Sequence, residues 1–248
     1  MDDLSHLKNE SNKFIYTNSV LLGVLRYVPV RPKEGEDYDE KLRKAFKFEK
    51  LGGDKTMRSC IDVIEDTEWA IIEFFTHGLC IERERIARGE KYLRLYGILN
   101  AVYVQLFAIL ELMELLKVPD KNDWSKKLRD LKVHDIRNKL ASHTANYKSG
   151  DEITSFKLVH VSLDKWGHSI AIVPDSKNEK YEEINLVKII TEYNDQTEIL
   201  LDLICQKAIK TLFRNDGEHR RWLISHYEYA KNRKFDYSIY KSSLGEEL

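Results

Sequence analysis

The chain has 248 residues, 42% of them hydrophobic and 33% charged, so it can bury a substantial core in one large domain or two small ones. Its 40 Lys and Arg residues nearly balance its 41 Asp and Glu residues, and the formal net charge is −1. This balance argues against a general polyelectrolyte binder, so any contact with nucleic acid must come from a local patch. Only 4 prolines and 11 glycines interrupt the chain, which favours long helices over many short strands.

The three cysteines, Cys60, Cys80 and Cys205, are far apart and odd in number. Their spacing matches neither a metal site nor a disulfide framework, so we predict a reducing, cytoplasmic compartment and no metal or other cofactor. The N-terminal residues lack a basic start followed by an apolar run. The longest uncharged stretch, 95–110, is shorter than the roughly 20 residues that span a bilayer, so we also expect no membrane association.

Residues 1–56 are predicted to form an N-terminal extension with a charged connection. Apolar residues cluster between 12 and 30, where the pattern leaves helix and strand open. Charges of both signs alternate from Arg31 to Lys55, which indicates an exposed segment with a short helix from about Lys41 to Phe48.

A helical bundle is predicted from residue 57 to residue 214, because apolar residues recur at helical spacing from Met57 onward. The next element, Tyr92 to Leu116, is apolar almost all round, so it must be covered on most sides, in a bundle centre or a dimer core. Pro119 ends it. The residues 122–125 then offer caps for one further helix that runs through Leu140.

A β-hairpin insertion is predicted at 153–173. Its two halves, 153–163 and 167–173, are rich in β-branched residues and flank an Asp-Lys-Trp-Gly turn. A two-stranded ribbon is marginal alone, so it should pack on the bundle or on a partner. Helical spacing returns from Glu182. The predicted fold class is therefore mainly α, a helical bundle with a small β-hairpin insertion.

The C-terminal region, 215–248, is predicted to contain a basic and aromatic helix from about Glu218 to Lys231. The stretch 207–234 holds eight Lys and Arg residues but three acidic ones, interleaved with tryptophan and tyrosine. Such a composition suits single-stranded RNA, and it makes Arg220 and Arg221 candidate RNA-binding residues. The alternative, which we favour, is an amphipathic helix that docks its aromatic rings on the bundle.

The segment from Arg137 to His143 carries the most informative chemistry. Arginine offers a fork of donors that suits phosphate oxygens, and histidine exchanges protons near neutral pH. Asn138 supplies a donor and an acceptor that can orient either of them. Together these residues are suited to bind and cleave a phosphodiester without a metal. The alternative is that three polar residues lie on a solvated helix face.

Helical geometry constrains this interpretation. In an undistorted helix Arg137 and His143 point about 120° apart with a rise of roughly 9 Å between them, whereas Lys139 shares the face of His143. Convergence of the arginine and the histidine therefore needs a local bend or a second copy of the motif. A composite cleft where two helices meet is favoured.

The segment His134–His143 resembles the signature of the HEPN superfamily (higher eukaryotes and prokaryotes nucleotide-binding). That signature is an arginine, four to six residues and a histidine, with a polar residue, often asparagine, after the arginine. The placement in a late helix is also similar, and 96–105 resembles the helix that precedes the motif in some bacterial members. The resemblance covers roughly residues 57–147, with 182–214 completing the bundle.

The resemblance implies a homodimer whose motifs face each other across a cleft, as in metal-independent endoribonucleases of toxin–antitoxin or phage-defence systems. Arg137 would hold the scissile phosphate. His143 would act in proton transfer with the ribose 2′-hydroxyl or the leaving oxygen, and Asn138 would position one of these two groups. Lys139 and Tyr147 are candidate RNA-binding residues. Tyr147 would line the cleft, and a structural role is its favoured alternative. The ribose 2′-hydroxyl would be the nucleophile, so no metal is required.

Other branches of this superfamily bind nucleotides or protein partners without cleavage. Many active members have an apolar or proline context, or a tyrosine, soon after the histidine, whereas Thr144-Ala145-Asn146 follows it here. The open alternatives are thus a non-catalytic nucleotide- or RNA-binding module and a protein-interaction subunit. An antitoxin is the partner that the ribonuclease interpretation implies.

Overall fold

The computed structural model describes residues 4–27, 34–49, 51–79, 88–142, 147–149, 152–163, 167–174, 180–215, 217–237 and 239. These residues are mainly helical, with small antiparallel β-elements, and this confirms the predicted mainly α fold class. The α-helices are α1 (Asn12–Phe14), α2 (Leu22–Tyr27), α3 (Tyr38–Phe46), α4 (Gly53–His77), α5 (Arg88–Leu115), α6 (Lys121–Arg129), α7 (Lys132–Arg137), α8 (Leu186–Leu212) and α9 (Glu218–Lys231). Two π-helical stretches, Ile15–Leu21 and Asn138–Ser142, continue α1 and α7.

The β-structure is larger than the predicted hairpin. The strands are β1 (Tyr147–Ser149), β2 (Glu152–Thr154), β3 (Phe156–Leu158), β4 (Ser169–Pro174) and β5 (Glu182–Asn185). The pairing of β3 with β4 confirms the hairpin, with Leu158 opposite Ile172. β5 joins the other edge of β4, and β1 and β2 form a separate two-stranded ribbon.

The prediction of helix from Glu182 is therefore wrong for its first four residues. Ile184 faces Ile170 across the β4–β5 ladder and is buried. The helix begins only after Asn185, whose side-chain oxygen accepts a hydrogen bond of 2.9 Å from the backbone N–H of Lys188. This cap satisfies one of the free donors at the start of α8.

The predicted helix from residue 122 to Leu140 is also divided. Leu131 has an extended backbone, with φ −63° and ψ 142°, and separates α6 from α7. An uninterrupted helix would point Leu128 and Val133 about 140° apart, yet both side chains are buried. The break at Leu131 lets both of them reach the core.

The chain forms two compact units. Unit 1 comprises Met1–Glu68, Gln105–Trp124 and Thr197–Phe235, and unit 2 comprises Trp69–Val104, Ser125–Gln196 and Asp236–Leu248. The long helices α4, α5 and α8 each contribute a segment to both units.

In unit 1, the segment 12–27 is helical, which decides the question that the sequence left open. Ser11 caps it, accepting a hydrogen bond of 3.3 Å from the backbone N–H of Phe14. Gly23 permits a close approach of α9, because a Cβ at this position would lie 2.8 Å from Leu223 and 2.9 Å from Trp222. Arg233, which follows α9 in the chain, lies near the N-terminal end of the segment 12–27 and donates a hydrogen bond of 2.8 Å to the carbonyl oxygen of Leu7.

Unit 1 also contains a buried ion pair. The ammonium of Lys13 lies 3.0 Å from the carboxylate of Glu68, and both side chains are fully buried. Lys13 also donates to Gln105 Oε1 at 2.9 Å, and Gln105 in turn donates to Thr67 at 3.1 Å and to the carbonyl of Ile64 at 3.3 Å. Side-chain donors and acceptors thus compensate for the desolvation of the two charges.

The apolar helix α5 is only partly covered. Among the described helices, Gly89–Leu115 is the one that is long and apolar enough to cross a membrane by length and composition, and 61% of its most apolar window is buried. The exposed apolar residues of this helix include Leu93, Val104 and Phe107. The expectation that the chain does not associate with a membrane stays a prediction.

Removal of one partner of the Lys13–Glu68 pair should destabilise the protein strongly. We expect Glu68→Leu to lower the free energy of unfolding by about 3–5 kcal/mol, because it removes the carboxylate that pairs with a fully buried ammonium. The double variant Lys13→Met/Glu68→Leu should be less destabilised than Glu68→Leu alone. Urea unfolding followed by circular dichroism measures both.

The matched control is Glu49→Gln, which removes an exposed ion pair of 3.0 Å with Lys117. It should change stability by less than about 1 kcal/mol. If the double variant is destabilised by the full sum of the changes in Glu68→Leu and in a Lys13→Met single variant, the pair is not energetically coupled.

Candidate functional site

The predicted catalytic segment lies at a change of helix type in unit 2. Arg137 is the last residue of α7, and Asn138 is the first residue of the π-helical stretch. A π-helix pairs each residue with the fifth one along the chain, so the spacing expected for an undistorted α-helix does not apply here. The structure places Arg137 and Asn138 side by side. His143 lies outside the described residues.

The guanidinium of Arg137 is held in place by neutral groups. Its carbon lies 3.8 Å from the centroid of the Tyr103 ring, and its Nη1 donates a hydrogen bond of 3.1 Å to Asn138 Oδ1. Its Nε is buried and has no hydrogen-bond partner among the described residues. No described carboxylate forms an ion pair with it. Arg137 is therefore a fixed, half-buried cation without a described counter-charge.

The neighbouring lysines are paired with carboxylates. Asp135 binds the ammonium groups of Lys132 and Lys139, each at 2.9 Å, and accepts a hydrogen bond of 2.9 Å from the Tyr147 hydroxyl. Glu182 pairs with both lysines as well. Lys139 is only 11% exposed. Its charge and the Tyr147 hydroxyl are thus engaged inside the protein, and their predicted role in RNA binding stays a prediction.

This network fixes the protonation of its members. Burial by itself would raise the pKa of Asp135, but hydrogen bonds from Lys139, Lys132 and Tyr147 outweigh it and lower that pKa. Burial and the hydrogen bond to Asp135 raise the pKa of Tyr147. At neutral pH the aspartate is ionised and the tyrosine is a hydrogen-bond donor.

His134 is a part of the site that the sequence reasoning did not assign. It is 3% exposed, and its ring meets the rings of Tyr103 and Tyr193 edge to face, with centroids 6.2 and 5.7 Å away. Neither of its ring nitrogens has a hydrogen-bond partner among the described residues. Burial, and then the charges of Arg137 and Arg129, lower its pKa from 6.5 to about 4. His134 is therefore neutral near pH 7.

The candidate RNA-binding residues Arg220 and Arg221 lie on α9, in unit 1. Arg220 is half-buried and Arg221 is exposed. On the same helix, the Trp222 ring contacts His226 with a centroid distance of 3.9 Å and meets Tyr27 edge to face at 5.4 Å. Trp222 thus packs within unit 1, as the favoured alternative predicted in outline, but its partner Tyr27 belongs to the predicted N-terminal extension and not to the predicted bundle 57–214. RNA binding by the two arginines stays a prediction.

Among the residues that the structure describes, no group of three or more His, Cys, Asp or Glu side chains is arranged to hold a metal ion. The described polar groups around Arg137 are instead suited to bind an anion. The guanidinium supplies the positive charge, and the amide of Asn138 fixes its orientation.

The buried His134 should make stability depend on pH. Above pH 6.5 its ring is neutral in both the folded and unfolded states. As the pH falls from 6.5 towards 4, the unfolded state binds a proton that the folded state does not. We expect the wild type to lose about 3 kcal/mol of stability over this window relative to His134→Phe.

Chemical denaturation of the two proteins at pH 8, 7, 6, 5 and 4 measures this difference. The difference should stay constant between pH 7 and 8, which serves as the internal control. If the stability of the wild type and of His134→Phe changed equally between pH 6.5 and pH 4, the assignment of His134 as a buried neutral group would be contradicted.

No protein-family model, curated protein or solved structure matches the chain. The resemblance to the HEPN superfamily therefore depends on the motif, its spacing and the order of the helices. The contacts of Arg137, Asn138 and His134 are the structural basis for assigning a function.

Proposed function

We propose that the chain is a HEPN-like, metal-independent endoribonuclease, acting in a bacterial toxin–antitoxin or phage-defence system. The observation that carries this proposal is the half-buried guanidinium of Arg137. No described carboxylate neutralises it, although Asp135 and Glu182 pair with two nearby lysines. A half-buried cation that pairs with no described carboxylate is suited to bind an anion from outside the chain, and the scissile phosphate of RNA is such an anion.

Arg137 is suited to this role by its position as well as its charge. Its stacking on Tyr103 and its hydrogen bond to Asn138 fix the donor fork before a ligand arrives. Less side-chain entropy is then lost on binding. Partial burial lowers the effective dielectric constant, so the attraction for a phosphate is stronger than at a fully exposed arginine.

Proton transfer is assigned to His143. General acid–base catalysis needs a group whose pKa lies near the working pH. His134 does not meet this condition, because its pKa is about 4 and its ring is buried. In the proposed reaction a base removes the proton of the ribose 2′-hydroxyl, and the 2′-oxygen attacks phosphorus. The bond to the 5′-oxygen breaks, that oxygen receives a proton, and a 2′,3′-cyclic phosphate is released.

The proposed assembly is a homodimer in which two motifs form a composite cleft. Its support is the exposed apolar side of the α5 segment in unit 2, where Leu93 and Val104 lie eleven residues apart, or about three helical turns. Exposed apolar residues on one helix face are typical of interaction surfaces. An antitoxin partner and a cytoplasmic location complete the proposal, with Arg220 and Arg221 as candidates for further RNA contacts.

A ribonuclease assay in the presence of EDTA tests the proposal. Arg137→Gln should lower the cleavage rate by about 10²–10³-fold through loss of charge stabilisation, and His143→Ala by about 10²–10⁴-fold through loss of proton transfer. Arg58→Gln, which removes an exposed arginine of unit 1 outside the basic stretch 207–234, is the matched control and should cleave as the wild type does. Circular dichroism verifies that each variant folds.

Equal cleavage by the wild type and His143→Ala would contradict the catalytic assignment. RNA or nucleotide binding that Arg137→Gln abolishes, without turnover by the wild type, would instead support the non-catalytic binding module. Light scattering of the same preparations should give the mass of a dimer, and a monomer at the assay concentration would contradict the composite cleft.

A further inference from the structure

An open groove of about 530 Å³ lies in unit 2. Five ring-bearing residues contribute to its wall: Tyr92, Tyr96, Phe156, His160 and Tyr181. The remaining wall is aliphatic apart from Lys157. This volume is in the range of pockets that hold small organic molecules. We call this feature the aromatic groove.

The rings of the groove are partly fixed and partly available. The hydroxyl of Tyr92 is hydrogen-bonded to Nδ1 of His160, and the rings of Tyr92 and Tyr96 lie with centroids 6.2 Å apart. Tyr96 is 40% exposed and Tyr181 is 65% exposed. Large rings that stay exposed beside a fixed pair offer stacking surface to a planar ligand.

Two elements connect the aromatic groove to Arg137: the π-helical stretch Asn138–Ser142 and the helix α5. Leu140, in the π-helical stretch that begins directly after Arg137, forms part of its wall. On α5, Tyr96 precedes Tyr103 by seven residues, which is two helical turns, or about 10.5 Å along the same face. The guanidinium carbon of Arg137 lies 3.8 Å from the centroid of the Tyr103 ring. Stacking rings and an anion-binding group therefore lie along one helix face.

We propose that the aromatic groove stacks a base of single-stranded RNA whose backbone phosphate is bound by Arg137. The choice of RNA as the ligand depends on the proposed ribonuclease function. Single-stranded nucleic acid is bound by rings that stack with bases beside cations that bind phosphates, and this combination is present here. The open shape of the groove lets a strand continue beyond the bound base.

Equilibrium binding of a fluorescein-labelled, 2′-O-methyl oligoribonucleotide tests this inference, since that probe cannot be cleaved. Tyr96→Ala and Tyr181→Ala should each weaken binding by about tenfold, because stacking on a ring is lost. Tyr96→Phe keeps the ring and should bind as the wild type does. Tyr38→Ala removes a tyrosine of unit 1 that is 50% exposed and is the matched control.

A second probe with abasic sites separates stacking from charge attraction. The wild type should bind the abasic strand about as weakly as Tyr96→Ala binds the intact one. Equal binding of both strands by the wild type, or unchanged binding by both alanine variants, would overturn the inference. Normal circular dichroism spectra, together with rescue by Tyr96→Phe, exclude misfolding as the cause of weaker binding.

The cleavage assay distinguishes a failure of the groove from a failure of the ribonuclease. Cleavage by the wild type with unchanged binding by the alanine variants would overturn only the groove. Base-dependent binding that needs Tyr96 and Tyr181, without cleavage by the wild type, would support the groove and contradict the ribonuclease. A wild type that binds neither strand and cleaves no RNA would overturn both.

Discussion

The contact between Tyr103 and Arg137 is the interaction on which the candidate site depends. The guanidinium lies 3.8 Å from the ring centroid, so among the described residues it is held by a π-surface and by one amide rather than by a carboxylate. A cation held in this way keeps its full charge available to a ligand. The same ring meets His134 edge to face, which links the guanidinium to a buried, neutral histidine.

The distribution of acidic groups strengthens this view of Arg137. Asp135 and Glu182 pair with Lys132 and Lys139, which leaves Arg137 without a described counter-charge. Those ion pairs also join the α7 segment to β5. An arginine suits such a position better than a lysine, because its planar fork matches two phosphate oxygens and its flat face stacks on a ring.

Periodicity predicted most of the fold. Helical spacing and the scarcity of helix breakers indicated the mainly helical fold, and β-branched runs around a Gly-containing turn indicated the β3–β4 hairpin. Glu218–Lys231 forms α9 with the predicted ends. The strand β5 was missed because Ile184 fits both a strand and the start of a helix. The break at Leu131 was missed because no glycine or proline marks it.

The site was less accessible to sequence reasoning. The i, i+4 spacing of Asp135 and Lys139 was visible, but Glu182 reaches Lys139 only through the tertiary fold. The stacking of Arg137 on Tyr103 and the burial of His134 are also tertiary contacts. The π-helical stretch after Arg137 is a backbone hydrogen-bonding pattern that residue types do not specify.

The salt dependence of RNA binding tests the central claim most directly. Removal of one phosphate-binding cation should reduce the slope of log affinity against log salt concentration by about 0.7 for a single strand. We expect this reduction for Arg137→Gln, whose guanidinium pairs with no described carboxylate, and a smaller change for Lys139→Gln, whose ammonium pairs with Asp135 and Glu182. A slope that is unchanged in Arg137→Gln, or reduced equally in both variants, would contradict the claim that Arg137 is the phosphate-binding cation.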